Sequence, residues 1–206
     1  GPPKGGTPNG NVDKNVKIYK LKYSKGFTEM PKIADIQETP NPNAVKLVLK
    51  DRLTWGTARS FDSAESAAAD PLASQLFAIA HVTNVYYMDK WITVTQDGEA
   101  DWPTLLRKIA MPIREAEAAQ KPDSQAASNH ADDEPRLAAI RKLLDEQIRP
   151  ALMADGGDLE IASLEGNVLK IHYFGACGSC PSSLSGTLWA IGNLARTIEP
   201  DIEVEV

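Results

Sequence analysis

Between Gln120 and Glu134 the chain loses its apolar rhythm. The run Gln-Lys-Pro-Asp-Ser-Gln-Ala-Ala-Ser-Asn-His-Ala-Asp-Asp-Glu has no hydrophobic residues at strand or helix spacing. Such a stretch cannot be threaded through a core, so residues 121–134 read as a flexible linker. It divides 206 residues into two short parts, and each must build its own core. The hydrophobic fraction of 42% is enough for two ordinary globular cores. The chain is therefore expected to be α+β: two small mixed domains, residues 32–120 and residues 135–206.

Residues 1–31 differ from the rest. They are rich in Gly, Pro, Asn and Lys and read as a disordered or basic extension. Gly1-Pro2, without an initiator Met, looks like what a tag-removing protease leaves, and Met30 is a candidate natural start. Residues 3–29 are then a fused segment or a natural extension. Within them, Val16 to Tyr23 alternates imperfectly, as a basic edge strand or an interaction peptide does.

In the first domain Val45, Leu47 and Leu49 alternate as a half-buried strand, and Arg59 to Asp62 suggests a second short one. Asp70-Pro71 is a helix start with an Asp cap and Pro at the first position, and Leu72, Leu76 and Ile79 line one face. Val85 and Tyr87, then Ile92 and Val94, predict a hairpin around Asp89-Lys90. Asp101 caps a last helix that buries Leu105, Leu106, Ile109 and Ile113, and Pro112 is expected to kink or restart it. Tyr86, Tyr87, Met88 and Trp91 form a candidate contact surface, although alternate members of such a cluster belong to the core.

The second domain opens near Pro135. Leu137, Ile140, Leu143, Leu144, Ile148 and Leu152 give one apolar helical stripe, which Pro150 disturbs near its end. Asp155-Gly156-Gly157-Asp158 turns the chain, with Gly suited to the left-handed conformation that follows a helix. Its two carboxylates lack an accompanying base or nucleophile, so acid–base chemistry there is disfavoured. Leu159, Ile161 and Leu164 alternate, Glu165-Gly166-Asn167 turns, and Val168 to Phe174 alternates again. A helix over Leu184–Ile198 follows, Pro200 ends it, and Ile202, Val204 and Val206 close with a strand. The predicted order is α-β-β-α-β.

Between the second strand and that helix lies Gly175-Ala176-Cys177-Gly178-Ser179-Cys180-Pro181-Ser182-Ser183, with the only two cysteines of the chain. A helix start presents unpaired N–H groups and a partial positive charge, and both favour thiolate. Gly175 and Gly178 permit backbone shapes closed to other residues. Pro181 suits the first helical position, and Ser182 or Ser183 suits the cap. A loop rich in Gly and Ser is expected to bury its thiols poorly.

Three chemistries use Cys-x-x-Cys: a dithiol–disulfide couple, half of a zinc site, or half of an iron–sulfur site. As an oxidoreductase the chain would attack with Cys177, but the α-β-β-α-β order does not offer the βαβ context of a thioredoxin-like fold. A zinc-bridged dimer would use the same ligands. His81, His130 and His172 lack ligand spacing to the cysteines, and His172 should point away from Leu169, Ile171 and Tyr173. A metal centre would then draw two further sulfurs from a second copy of the chain.

Asp155-Gly156-Gly157-Asp158 followed by the strand pair and Gly175 to Ser183 resembles the NifU-like C-terminal domain of Nfu-type iron–sulfur carriers, over about Pro135–Val206. Gln37-Glu38-Thr39-Pro40-Asn41-Pro42-Asn43 resembles the start of the N-terminal domain that precedes it in many Nfu proteins, where client recognition is its role. The resemblance implies a non-enzymatic carrier. It implies a [4Fe–4S] cluster bridging a homodimer, with Cys177 and Cys180 of each chain as ligands. Gly175, Gly178 and Ser179 would tune the site through N–H and hydroxyl bonds to sulfur. The implied partners are an upstream assembly scaffold and apo iron–sulfur clients.

Other classes are excluded on charge and hydropathy. Six lysines face Asp13 and Glu29 in the first 30 residues, yet the whole chain carries −6, so the body is acidic and unsuited to nucleic acid. No apolar run approaches a membrane span, and no signal peptide is visible. A reducing compartment follows: cytoplasm, or the mitochondrial matrix in a eukaryote.

Overall fold

The computed structural model describes residues 32–121, 134–180 and 183–206. The expectations for residues 1–31, for the stretch 122–133 and for Pro181 and Ser182 lie outside the described residues. The architecture is α+β, with two sheets.

The first sheet is antiparallel, in the order β1-β2-β5-β4-β3. Its strands are β1 (Ile33–Glu38), β2 (Ala44–Leu49), β3 (Arg59–Phe61), β4 (Val82–Met88) and β5 (Trp91–Gln96). Val45 pairs with Val94 and Leu47 with Ile92, so the predicted apolar alternation meets across the ladder. The hairpin turns at Asp89, whose φ of 50° is left-handed. Helices α1 (Pro71–Phe77) and α2 (Trp102–Glu115) cover one face. Both begin as the sequence predicts: Asp70 Oδ1 accepts from Ala73 N at 2.9 Å, and Asp101 Oδ2 accepts from Thr104 N at 3.1 Å. Leu72, Leu76, Leu105, Leu106, Ile109 and Ile113 then close the core over Val45, Leu47, Val85, Tyr87, Ile92 and Val94.

One alternative for Pro112 is set aside here, and one strand was not expected. Helix α2 runs on through Pro112 to Glu115 without restarting. The ring removes a bond only to the carbonyl of the exposed Lys108, close to the helix end. β1 was not foreseen. A register shift between Ile33 and Asp35 breaks its alternation, and it is an edge strand.

The second part folds as α3 (Pro135–Gln147), α4 (Arg149–Ala154), β6 (Gly157–Glu165), β7 (Val168–Gly175), a 3₁₀ turn (Ala176–Ser179), a π turn (Ser183–Thr187), α5 (Leu188–Ala195) and β8 (Glu203–Glu205). The stripe Ile140, Leu144, Ile148, Leu152 packs on Leu159, Leu169, Ile171, Tyr173 and Ile191. Leu143, expected in the stripe, is only half-buried. Pro150 divides the single predicted helix into two, with the break at Ile148. The α-β-β-α-β order holds apart from that split. In the three-stranded sheet, β6 and β7 are antiparallel, and β8 lies parallel to β7. The strand–helix–strand unit absent from the sequence reading is therefore present: β7, α5 and β8 make it, and the cysteines open its crossover. Strand order alone does not reveal it, because an α-β-β-α-β string fixes no pairing direction.

Candidate metal centre

The cysteines stand where the last residue of β7 meets the 3₁₀ turn. Gly175 has φ 62° and ψ −137°, a combination glycine alone adopts comfortably, and it turns the chain out of the strand. Gly178 has no positive φ. Its need for glycine is spatial, since a Cβ there would lie 3.2 Å from the carbonyl of Tyr173. Cys177 sits within the turn and Cys180 just after it, its N–H reaching Cys177 O at 3.4 Å. The structure thus brings Cys177, Cys180, Gly175, Gly178 and Ser179 onto one tight loop.

The Asp155–Asp158 turn is the floor of that loop. Gly156 is left-handed at φ 82°, as predicted, and its carbonyl accepts from Ala176 N at 3.1 Å. Gly157 lies directly under Cys177: a Cβ added there would stand 2.4 Å from Cys177 Sγ and 2.7 Å from Phe174 O. The two motifs, some 20 residues apart in sequence, are one packed unit. Asp158 is a structural carboxylate. It accepts from Arg149 Nη1 at 2.5 Å, from Tyr86 OH at 3.2 Å and from its neighbour Leu159 N at 2.8 Å.

The thiols are buried, contrary to the expectation for a Gly/Ser loop; Cys177 and Cys180 are each 2% exposed. Cys177 packs into the core with Leu159, Tyr173 and Ile191, a burial that the Gly/Ser composition of the loop does not record. Asn41, in the turn between β1 and β2, lies against the loop: Nδ2 donates to Ala176 O and to Ser179 Oγ, each at 3.0 Å. Sequence reasoning missed Asn41. Its only signal was the Pro40-Asn41-Pro42 turn, which reads as an ordinary loop.

His172 is exposed on the face opposite Leu169, Ile171 and Tyr173, as predicted, with its ring edge against Phe174 at 4.8 Å. It is not part of the cysteine loop. The Tyr173 hydroxyl is buried with no partner among the described residues. Burial, and after it the charge of Cys177, pushes this phenol up to about 12. It is thus a neutral donor within electrostatic reach of sulfur. Of the four candidate contact residues, Tyr87 belongs to the core and Met88 is half-buried, while Tyr86 and Trp91 pack together with ring centroids 5.1 Å apart.

Residues 33–120 match the family described as "Scaffold protein Nfu/NifU N terminal", and residues 140–205 match "NifU-like domain". The human protein named NFU1 iron-sulfur cluster scaffold homolog, mitochondrial, is 34% identical over 174 residues, covering 81% of this chain and 68% of that protein. Its counterpart from Drosophila willistoni is 31% identical over 174 residues, covering 81% of this chain; the chain spans 60% of that relative's length. A crystal structure of protein SAV1430 from Staphylococcus aureus aligns at 23% identity with a TM-score of 0.35, covering 39% of this chain and 96% of that one. With both of its parts matched and the cysteine loop packed on the Asp-Gly-Gly-Asp turn, the chain belongs to the Nfu/NifU family of iron–sulfur cluster scaffold proteins.

Proposed function

We propose that this chain carries a [4Fe–4S] cluster as cargo on Cys177 and Cys180, shared with the same pair of a second copy, and hands it to apo iron–sulfur proteins. The carrying observation is the loop itself. The two cysteines of the chain converge on one tight turn, held from below by Gly157 and closed by Gly175. One chain supplies two thiolates, and iron–sulfur clusters ask for four. The missing pair therefore comes from a second copy. The donor set suits that cargo: two thiols on one turn, and a Tyr173 hydroxyl that has no partner among the described residues and feels the charge of Cys177. Trp189, on the helix that follows the loop, is 71% exposed, and a second copy would cover such a surface.

A two-plus-two site opens more readily than four thiolates within one chain, because exchanging one pair for a client's cysteines releases the cluster. The role needs no catalytic constellation. The cluster would come from an upstream assembly scaffold. Thiolate ligands need a reducing compartment, either the cytoplasm or, in a eukaryote, the mitochondrial matrix. No described helix is long and apolar enough to cross a membrane.

The test is substitution of one ligand at a time. Cys177→Ala and Cys180→Ala should each abolish iron retention and cluster-linked dimerisation after anaerobic reconstitution, while circular dichroism stays that of the parent. A single variant that held a full cluster would contradict the two-plus-two arrangement. The oxidoreductase reading predicts instead a colourless protein whose thiols cycle at a defined potential.

A further inference from the structure

The face of the first sheet that carries no helix is also buried. On it Lys46, Tyr86, Trp91, Thr93 and Thr95 alternate with the core residues of β2, β4 and β5, and Tyr86 and Thr93 are fully inaccessible. Lys46, Thr93 and Tyr86 bond to the second part of the chain, while Trp91 packs on Tyr86. Lys46 Nζ donates to Met153 O at 2.6 Å and to Ala154 O at 3.3 Å. Thr93 Oγ1 donates to Gly156 O at 2.7 Å. Tyr86 OH donates to Asp158 Oδ2, and its ring stacks on Phe174 at 6.1 Å and 17°. Asn41 adds its two bonds to Ala176 and Ser179.

The two surfaces complement one another. The sheet offers side-chain donors; the cysteine unit offers carbonyls from the end of α4 and from the two loops. The fit is close enough to need glycine. A Cβ on Gly156 would meet Thr93 Oγ1 at 2.8 Å and Lys46 Cβ at 3.2 Å, and one on Gly175 would meet Tyr86 Cδ1 at 3.2 Å. Burial weakens the proton affinity of Lys46, which Asp155 partly restores. The contact is polar at its edges and aromatic in one spot, the character of an interface between domains that can part.

We propose that this helix-free sheet face is a docking surface for the cysteine unit, and that by holding the chain's own loop it caps the thiols. Asn41 and Lys46 are its latches. The capping rests on the bonds to Ala176, Ser179 and Gly156 around the thiols; its meaning for cluster loading rests on the carrier reading given above. A second copy must bring its thiols to the same cluster, and it cannot do so while the first sheet is held on the loop that carries Cys177 and Cys180. Loading and release then require the docked face to lift, and a client that engages the same sheet face would promote release.

The test uses the full chain without iron. Iodoacetamide modification of Cys177 and Cys180 is followed by mass spectrometry under native conditions for the parent, Asn41→Ala, Lys46→Glu and Lys50→Glu. Asn41→Ala removes two bonds to the loop, and Lys46→Glu sets a carboxylate against carbonyls. Each should speed modification about tenfold or more, the ratio expected when about 1.4 kcal/mol of closure is lost. Lys50 is exposed and lies off the contact, so Lys50→Glu should leave the rate unchanged. Circular dichroism and the unfolding midpoint verify that each variant is folded. Parent thiols that react as fast as a short peptide thiol would overturn the cap. So would Asn41→Ala and Lys46→Glu reacting at the parent rate, or Lys50→Glu accelerating as much as they do. Because no metal enters the assay, failure of the cap and failure of cluster binding are separate results.

Discussion

Gly157→Ala tests whether the Asp-Gly-Gly-Asp turn and the cysteine loop are one packed unit. The backbone at Gly157 needs no left-handed conformation, so the substitution acts through space alone. The added methyl would lie 2.4 Å from Cys177 Sγ, 2.9 Å from Cys177 Cβ and 2.7 Å from Phe174 O, whereas comfortable carbon contacts begin near ~3.5 Å. The thiol can rotate, but the Phe174 carbonyl belongs to the β6–β7 ladder and moves only with the strand. Over-packing of this kind costs about 1–3 kcal/mol. For a domain of this size each kcal/mol lowers the midpoint by roughly 4–8 °C, so a fall of roughly 4–24 °C is expected. Differential scanning calorimetry reads the midpoint, and reconstitution reads iron retention, which should fall with Cys177 displaced. Gly186→Ala is the control, because nothing lies within 4 Å of the added atom. It should be neutral or stabilising by up to ~1 kcal/mol. A Gly157→Ala protein that melts with the parent and holds its full iron would refute the packing argument.

Two other perturbations have defined outcomes. Asp70 caps α1 and accepts from Tyr87 OH at 2.5 Å and Arg59 Nη1 at 2.6 Å, so Asp70→Ala should cost about 2–4 kcal/mol in urea unfolding, the sum of a lost cap and a stranded buried hydroxyl. Burial raises the Asp70 carboxyl, but Ala73 N–H, Tyr87 and Arg59 outweigh it and hold the group below its ordinary value. Its stabilisation is therefore present above the unfolded value near ~4 and is lost as pH falls through the folded one, and Asp70→Asn should flatten that acid limb. Gly175→Ala forces an ordinary residue to φ 62° and ψ −137° and drives a Cβ to within 2.6 Å of Gly156 O. It should cost about 1–3 kcal/mol in thermal unfolding and speed thiol alkylation. Gly166→Ala, left-handed but in open space, should cost roughly 1–2 kcal/mol and leave the thiols as they were.

The sequence showed what periodicity and caps record. The strands around Leu47, Val85 and Ile92, the caps at Asp70 and Asp101, the left-handed Gly156 and the stripe through Ile140 and Leu144 were all legible, because each depends on neighbours within a few residues. The cysteine loop and its place at the end of β7 were legible for the same reason. What lay on the loop was not. Lys46, Thr93 and Thr95 are polar at alternate positions, the pattern of a solvated face, and only the docked second part turns that face inward. The parallel pairing of β8 on β7 escaped because pairing direction is a property of the returning chain. Gly157 was read as a turn residue when its role is to leave room for Cys177. The first of these omissions hid a docking surface, and the last hid the floor of the candidate site.

The central claim is that two copies share one cluster through Cys177 and Cys180. Iron and acid-labile sulfide per chain, measured with the mass in solution after anaerobic reconstitution, address it most directly. The account predicts about two irons and about two sulfides per chain, a broad visible absorption band and a dimer whose mass halves when the cluster is stripped. A reconstituted protein that stays a colourless monomer, or one that holds a cluster without dimerising, would contradict it.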